Sequence, residues 1–355
     1  MSRDIGIDLG TANVLIHLKG RGIVVNEPAI VAVDVKNEQV IEVGKGAYEM
    51  LGRQPQSIKL VRPLKGGVIA DYDLAEAMLV LMLDKIHSRS WFSKPNVLIS
   101  APSNVSEVEQ KSLMEATERA VGGKIFIEEE TLVAAIGAGV SPFSKESHMV
   151  LDIGGGTCDV ALIIGGEVVK SSSLKIAGDD FDAAIIQYVK DHFQLLIGER
   201  SAEAAKKSVA TAILEEDSDQ ISVPLKGRDL VTGLPKSINL TAKDLYHALS
   251  PHFTLIANHV ARLVQELAPE VAGDIYENGI IMTGGGAMIR HLDTYLTNAL
   301  KVSVVKADQP MACVALGSGL MLEMILSGQL ERTRPTLGLK LQRWLKQIKR
   351  RIIGY

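Results

Sequence analysis

The sequence predicts an α/β protein built from two similar halves. Short apolar strand patterns alternate with helical patterns along its 355 residues. An apolar strand, an aspartate, a glycine-rich turn and a second strand follow one another in residues 5–16 and again in residues 150–164. A third glycine-rich turn, residues 284–286, follows the predicted strand 280–283. Because a motif that recurs at a long interval indicates a repeated unit, we expect two homologous halves.

The first two motifs have the chemistry of a phosphate site. Glycines let backbone N–H groups approach an anion closely. Asp8 and Asp152 cannot bind phosphates directly, because like charges repel, but each can hold a hydrated Mg²⁺ between itself and the phosphates. Two facing copies would therefore close on a nucleotide triphosphate from both sides. The expected phosphate donors are Gly10, Thr11, Ala12, Asn13, Gly154, Gly155, Gly156 and Thr157.

The third motif has the features of a nucleoside site. A strand that runs into three glycines leaves room for a flat base or ribose, and a helix that follows would aim its N-terminus at a phosphate. We therefore assign Gly284, Gly285, Gly286 and Ala287 to nucleotide binding. The alternative is that each glycine-rich stretch is only a turn between strands. None of the three motifs fits the Walker pattern, which excludes a P-loop NTPase.

The composition indicates a folded intracellular protein. A hydrophobic content of 46% with 23% charged residues is ordinary for such a protein. Two cysteines, Cys158 and Cys313, cannot form a disulfide framework and fit a reducing cytoplasm. The first residues lack the layout of a signal peptide. The longest apolar stretch, 311–326, is shorter than the ~20 residues that a bilayer requires, so we expect a buried helix there.

The last residues, 337–355, form a basic amphipathic segment. They contain six Lys or Arg and no acid, whereas the whole chain carries a net charge of −4. An acidic body with a basic end argues against nucleic acid and favours an anionic membrane surface as the partner of this segment. Its apolar residues share one face of a predicted helix: Leu341, Trp344, Leu345, Ile348 and Ile352. That layout is typical of a helix lying in a membrane interface.

Trp91 and Phe92 are a second candidate membrane contact. They stand side by side between two serines, in a predicted loop that follows a helix. The alternative for this pair is packing against a neighbouring strand. For the basic segment, the alternatives are a disordered end or a site for a partner protein.

These motifs, in this order and spacing, resemble the actin, DnaK and sugar-kinase ATPase superfamily. Within it the chain most resembles the MreB family of bacterial actins, in particular its Mbl-like members. The resemblance covers residues 1 to about 330. Further matching stretches are 62–71, 127–130, 196–199 and 227–235, of which the last is typical of the family alone.

The resemblance implies an actin-like ATPase fold with a nucleotide in a central cleft. Two homologous domains, each with a small subdomain, are expected around that cleft. Domain I would span 1–147, with its small subdomain at about 33–66. Domain II would span 148–330, with its small subdomain at about 180–255 and the helix around 311–326 at the domain junction. Residues 331–355 would form the basic amphipathic tail.

The resemblance also implies roles for individual residues. Glu130 ends a predicted strand, and a carboxylate there could orient or deprotonate the attacking water, a role worth ~10²–10⁴-fold in rate. MreB-like proteins position that water with the residues matching Glu130 and Thr157. The alternative is that 128–130 is a solvated acidic turn. The chain has Thr131 where the family usually has proline and Cys158 where it usually has threonine; neither departure removes a catalytic group, but both could alter the rate of hydrolysis.

Three more residues are candidate nucleoside or metal contacts. Glu203 and Lys206 match the ribose and adenine contacts of the family, although residues three apart on a helix could instead form an ordinary salt bridge. Asp179 could accept a hydrogen bond from the ribose or complete the outer shell of the metal. Asp8 and Asp152 would contact Mg²⁺ through water.

The function implied by the resemblance is that of a filament protein. ATP or ADP with Mg²⁺ would set the shape of a subunit that polymerises with itself. The filaments would lie at the inner face of the cell membrane, with paralogous bacterial actins and the cell-wall elongation machinery as partners, and would maintain rod shape. A sugar or acid kinase is the alternative, but its catalytic aspartate has no recognisable signature here. A chaperone would need a further substrate-binding domain after residue 330.

Overall fold

The computed structural model describes residues 4–86, 95–102, 105–121 and 123–330. Its strands are β1 (Ile5–Leu9), β2 (Asn13–Leu18), β3 (Gly22–Pro28), β4 (Val31–Asp34), β5 (Val40–Val43), β6 (Ile58–Val61), β7 (Leu64–Lys65), β8 (Val68–Ile69), β9 (Val97–Ala101), β10 (Ile125–Glu129), β11 (His148–Ile153), β12 (Cys158–Ile164), β13 (Glu167–Leu174), β14 (Leu195–Leu196), β15 (Ser222–Asp229), β16 (Pro235–Thr241), β17 (Ile280–Thr283) and β18 (Val304–Lys306). Its α-helices are α1 (Lys45–Glu49), α2 (Tyr72–Lys85), α3 (Glu107–Val121), α4 (Glu130–Gly137), α5 (Gly178–Phe193), α6 (Glu199–Val209), α7 (Ala242–Gln265), α8 (Pro269–Asn278), α9 (Leu292–Leu300) and α10 (Cys313–Leu326).

Two five-stranded sheets have the same topology. The first has the order β10-β9-β1-β2-β3 and the second the order β13-β12-β11-β17-β18. In each, three consecutive strands form an antiparallel meander, and two later strands extend the sheet in parallel beside the first strand of that meander. The prediction of an α/β fold with two homologous halves is therefore confirmed. The domain boundaries at 147 and 148 stay a prediction.

Each large sheet has its own apolar core. Side chains of α2 and α3, such as Met78 and Leu113, pack against β1 and β2 of the first sheet. Side chains of α5 and α7, such as Phe181 and Phe253, pack against β11 and β12 of the second. A separate cluster joins the halves, because α4 and α10 pack together with Leu98 of the first sheet and Val150 of the second. The apolar stretch 311–326 thus supplies the buried helix expected from its sequence.

Two smaller sheets extend from the halves. Strands β4, β5 and β6 form one, which packs against α1, and β14, β15 and β16 form the other. They lie within or close to the predicted small subdomains at about 33–66 and 180–255. Within the described ranges, no helix is both long enough and apolar enough to cross a membrane.

Candidate functional site

The first two glycine-rich turns face each other directly. Residues 10–12 join β1 to β2, and residues 154–157 join β11 to β12. A Cβ added to Gly155 would lie 2.5 Å from the Cβ of Ala12, and one added to Gly156 would lie 2.9 Å from the hydroxyl oxygen of Thr11. Only glycine fits such an approach, so these positions need glycine for space. The geometry agrees with the expectation of two opposed phosphate loops.

The turn between β7 and β8 contacts both loops. The N–H of Gly67 in this turn donates a hydrogen bond of 2.9 Å to the Thr11 hydroxyl. The Cβ position of Gly67 lies 3.2 Å from the methyl group of Thr157. In the sequence, residues 62–71 match the family pattern but carry no evident role. In the structure they bridge the two loops.

Asp8, Asp152 and Glu130 come together beside these loops. Asp8 ends the buried part of β1, Asp152 stands at the matching place on β11, and Glu130 begins α4. Burial, followed by the charge of Asp152, raises the pKa of Asp8. Burial and then the charges of Asp152 and Asp8 raise the pKa of Glu130 well above its ordinary value. The charge of Asp152 thus acts on both Asp8 and Glu130, and that of Asp8 acts on Glu130, so the three predicted acids lie near one another.

Thr283, at the end of β17, supports Asp152. Its hydroxyl donates a buried hydrogen bond of 2.6 Å to Oδ1 of Asp152. Burial raises the pKa of Asp152 to about 6, and this hydrogen bond opposes the rise. In the sequence, residues 280–283 stand out only as the strand before the third motif. Thr283 is thus a site residue that sequence reasoning missed.

Asp159 is a further acid to which the sequence pattern assigned no role. It lies directly across from Asp152 in the β11–β12 ladder and is buried. Burial raises its pKa, while the hydroxyls of Ser173 and Thr157 act in the opposite direction. A signal was present, because Asp159 ends the second glycine motif, but only the strand register shows that it faces Asp152.

The donor set of this site fits a hydrated Mg²⁺. Carboxylate oxygens are hard ligands that suit this ion, and a cation among them would relieve their mutual repulsion. Among the residues that the structure describes, no three His, Cys, Asp or Glu converge closely enough to ligate one ion directly. Contact through water, as expected for Asp8 and Asp152, is compatible with this geometry.

The start of α5 docks on the second loop. The N–H of Gly178 donates to the carbonyl of Gly154 over 3.2 Å, and the N–H of Asp179 donates to the carbonyl of Gly155 over 2.8 Å. Burial raises the pKa of the Asp179 carboxyl, against the opposing charges of Arg62 and Lys206. Asp179 therefore lies at the edge of the loop site, close to where a ribose or metal contact was expected.

Glu203 and Lys206 extend from α6 but do not pair with each other. Lys206 Nζ donates to the carbonyl of Gly178 over 2.8 Å and to Asp182 over 2.9 Å. Glu203 pairs with Lys207 over 2.5 Å and accepts a hydrogen bond from the Tyr48 hydroxyl. The alternative of a Glu203–Lys206 helix salt bridge is therefore wrong. Lys206 instead joins α6 to the start of α5.

The third motif differs from expectation in its helix. Residues 285–288 form a single 3₁₀ turn, so the α-helix expected directly after the glycines is absent there, and the next α-helix, α9, begins at Leu292. Gly284 has φ of +81°, and a Cβ there would lie 2.3 Å from the carbonyl oxygen of Ile153. Gly286 and Ala287 are buried, and Gly285 is exposed. The motif thus packs on the end of β11, with Gly285 as its open position.

The two departures from the family pattern are buried. Thr131 and Cys158 are at most 1% exposed. Burial raises the pKa of the Cys158 thiol well above its ordinary value, so the thiol stays protonated. The candidate membrane residues, Trp91 and Phe92 and all five of the tail, lie outside the described residues.

Comparison with known proteins agrees with these features. The chain matches the family model described as MreB/Mbl protein over residues 2–329. It is 48% identical to the cell shape-determining protein Mbl of Bacillus subtilis, over 91% of this chain and 96% of that protein. It is 42% identical to the cell shape-determining protein MreB of Escherichia coli, over 91% of this chain and 94% of that protein.

Solved structures show the same fold. MreB5 of Spiroplasma citri bound to ADP has a TM-score of 0.87 at 35% identity, covering 92% of this chain and 98% of that chain. The same protein bound to AMPPNP also has a TM-score of 0.87, at 34% identity, covering 93% of this chain and 99% of that chain.

Proposed function

The chain belongs to the MreB/Mbl family, and from this we propose that it is an ATP-binding bacterial actin that polymerises into membrane-associated filaments. The filaments would organise cell-wall synthesis and so maintain rod shape. The observation that carries this proposal is the convergence of two opposed glycine loops with Asp8, Asp152 and Glu130. That arrangement is suited to a nucleoside triphosphate and its metal ion.

We place the nucleotide between the two large sheets. The loop residues at 10–13 and 154–157 would donate N–H and O–H groups to its phosphates. Glu203, Lys206 and Gly285 would contact the nucleoside, with Asp179 between the phosphates and the ribose. Support comes from MreB5 of Spiroplasma citri, which has been solved with ADP and with AMPPNP. We also propose that the domains span 1–147 and 148–330.

Mg²⁺ belongs to this proposed site. Asp8 and Asp152 would hold it through water, and when bound it would neutralise phosphate charge and orient the phosphates. The Thr283 hydroxyl fixes one oxygen of Asp152, which leaves the other available to accept from a metal-bound water. The fit rests on the carboxylate donors and on their raised pKa values.

Slow hydrolysis of ATP would use Glu130 and Thr157. Glu130 is part-buried beside the loops, so its carboxylate could orient an attacking water and accept its proton. The Thr157 hydroxyl lies on the second loop, where it could hold the same water. Thr131 and Cys158 leave both groups in place.

Filament formation and membrane binding complete the proposal. Subunits would associate with further copies of themselves, and the filaments would lie at the cytoplasmic face of the cell membrane. Trp91, Phe92 and the basic tail would supply the membrane contacts. Paralogous bacterial actins and the cell-wall elongation machinery are the proposed protein partners. The names of the relatives, which are cell shape-determining proteins, support this assignment.

The kinase alternative receives no support from these relatives. Sedimentation separates the two functions in one experiment. A filament protein pellets with Mg²⁺ and ATP, and it releases phosphate without any added substrate. A small-molecule kinase stays in the supernatant and consumes ATP only when its acceptor is present. A protein that stays in the supernatant under every nucleotide condition would contradict the proposed function.

A further inference from the structure

Side chains from the two halves meet across the mouth of the proposed cleft. Tyr48, on α1 of the first half, donates its hydroxyl to Oε2 of Glu203, on α6 of the second half. The guanidinium of Arg200, one turn before Glu203, lies 5.4 Å from the centre of the Tyr48 ring. Arg200 also donates a hydrogen bond of 2.9 Å to the carbonyl of Glu49. These contacts connect α1 directly to α6.

Tyr48 is firmly anchored on its own side. Its ring packs against the small apolar cluster of Ile30, Ala32 and Ala47, which holds α1 on β4. Arg62, just after β6, reaches Glu199 at the start of α6 over 3.5 Å, in an exposed pair that contributes little by itself. The cluster and the Arg200 stack fix the place of the Tyr48 hydroxyl. The Tyr48 hydroxyl can therefore hold the Glu203 carboxylate in one orientation.

Glu203 has acceptor capacity left after these contacts. Its Oε1 accepts from Lys207 and its Oε2 accepts from Tyr48, while each carboxylate oxygen can accept about two hydrogen bonds. Burial raises the pKa of Glu203, but hydrogen bonds from Lys207 and Tyr48 leave it below the ordinary value. The group is thus charged at neutral pH. A charged, oriented carboxylate with free lone pairs suits the hydroxyls of a ribose.

We propose that Tyr48 is a positioning residue of the nucleoside site, which holds the Glu203 carboxylate in the orientation that accepts a ribose hydroxyl. This inference rests on the proposed function, since it assumes that Glu203 faces the ribose. The bond crosses from one half of the molecule to the other. Ribose binding and closure of the cleft mouth therefore depend on the same carboxylate.

The competing partner of Glu203 explains why a positioning group is needed. Lys207 lies on the same helix, and its side chain is 63% exposed. Without the Tyr48 hydroxyl, Lys207 alone would hold Glu203, and a flexible exposed cation fixes a carboxylate poorly. Tyr48 is thus the contact that keeps Glu203 turned toward the cleft.

The test compares Tyr48→Phe with wild type in calorimetric titrations with Mg²⁺ and three ligands: ATP, 2′-deoxy-ATP and 3′-deoxy-ATP. Wild type should prefer ATP over at least one deoxy analogue. Tyr48→Phe keeps the ring and its stack on Arg200, so it should fold. It should bind ATP roughly ten-fold more weakly, the effect expected for one hydrogen bond to a charged group, and lose most of the preference for ATP. Tyr276→Phe, at an exposed tyrosine on α8, is the matched control and should match wild type.

A second comparison tests whether Tyr48 acts through Glu203. In a Glu203→Ala background, adding Tyr48→Phe should change the affinity for ATP no further. The inference is overturned if Tyr48→Phe binds ATP as wild type does, if it weakens all three ligands by one common factor, or if its effect persists without Glu203. If wild type binds no ATP at all, the proposed function itself has failed, which is a separate result.

Discussion

The hydroxyl of Thr283 donates a hydrogen bond of 2.6 Å to the carboxylate of Asp152. This bond links the strand before the third glycine motif to the aspartate of the second, within one sheet. Asp152 in turn lies near Asp8 of the other sheet, closely enough for its charge to raise the pKa of Asp8. A hydrogen bond and an electrostatic interaction thus link all three motifs, and substitution of the residues involved should separate their roles.

Glu130→Ala should separate hydrolysis from binding. Removing the carboxylate leaves the glycine loops intact, so we expect the affinity for ATP to change little. Phosphate release should fall by about 10²-fold or more, because the attacking water loses its orienting group. Single-turnover phosphate release is the measurement, with Glu118→Ala, an exposed acid on α3, as the matched control. Release at the wild-type rate would remove Glu130 from the mechanism.

Asp8→Asn and Asp152→Asn should each weaken binding of ATP mainly when Mg²⁺ is present. In the proposed site the aspartates would contact the phosphates only through the hydrated ion, so the effect should shrink in EDTA. Calorimetric titrations with and without Mg²⁺ give the comparison. Equal losses in both conditions would mean that these aspartates support the fold instead.

The metal-free protein should lose stability as the pH rises. Burial and Asp152 raise the pKa of Asp8 to about 8, so the native state binds this proton more tightly than the unfolded state. The resulting stabilisation is fully present below pH ~4, where Asp8 is protonated in both states, and disappears as the pH rises through the folded pKa. Each tenfold difference in proton affinity between the two states is worth ~1.4 kcal/mol. Asp8→Asn cannot ionise, so in EDTA it should unfold at a higher temperature than wild type at pH 8 but not at pH 4. A variant less stable at both pH values would contradict the predicted sign.

Membrane binding should depend on two segments, the aromatic pair Trp91 and Phe92 and the basic tail. Each basic residue near an anionic leaflet contributes about 1 kcal/mol, and each buried Trp or Phe roughly 1.5–3 kcal/mol. Co-flotation with anionic liposomes should therefore be reduced in Trp91→Ala/Phe92→Ala and in a chain truncated after Thr336. Phe143→Ala, at an exposed aromatic side chain outside both segments, is the control and should float as wild type does. If only the truncation sinks, the tail is the anchor; if both variants float fully, the membrane assignment is wrong.

Local sequence patterns were enough to predict the repeated halves. The residues between Asp8 and Ile16, and those between Asp152 and Ile164, each determine a tight hairpin, because glycine turns and apolar strands are encoded by neighbouring residues. The strand-end position of Glu130 followed from the same kind of local pattern. The structure then placed all three acids together.

Contacts between distant residues could not be predicted in this way. Thr283 and Asp159 face Asp152 because of strand register, and Gly67 reaches Thr11 because the β7–β8 turn folds over the loops. Tyr48 meets Glu203 only through the approach of the two halves, although 155 positions separate them. The third motif was predicted to begin a helix, but packing of Gly284 and Gly286 on Ile153 leaves only a 3₁₀ turn.

Electron microscopy of the purified full chain on an anionic lipid monolayer tests the central claim most directly. Samples with Mg²⁺ and ATP, with Mg²⁺ and AMPPNP, and with EDTA and no nucleotide would be compared at equal protein concentration. We predict filaments on the lipid with Mg²⁺ and either nucleotide, and dispersed particles without them. Dispersed particles in every sample, or filaments equally abundant without nucleotide and metal, would contradict a nucleotide-dependent bacterial actin.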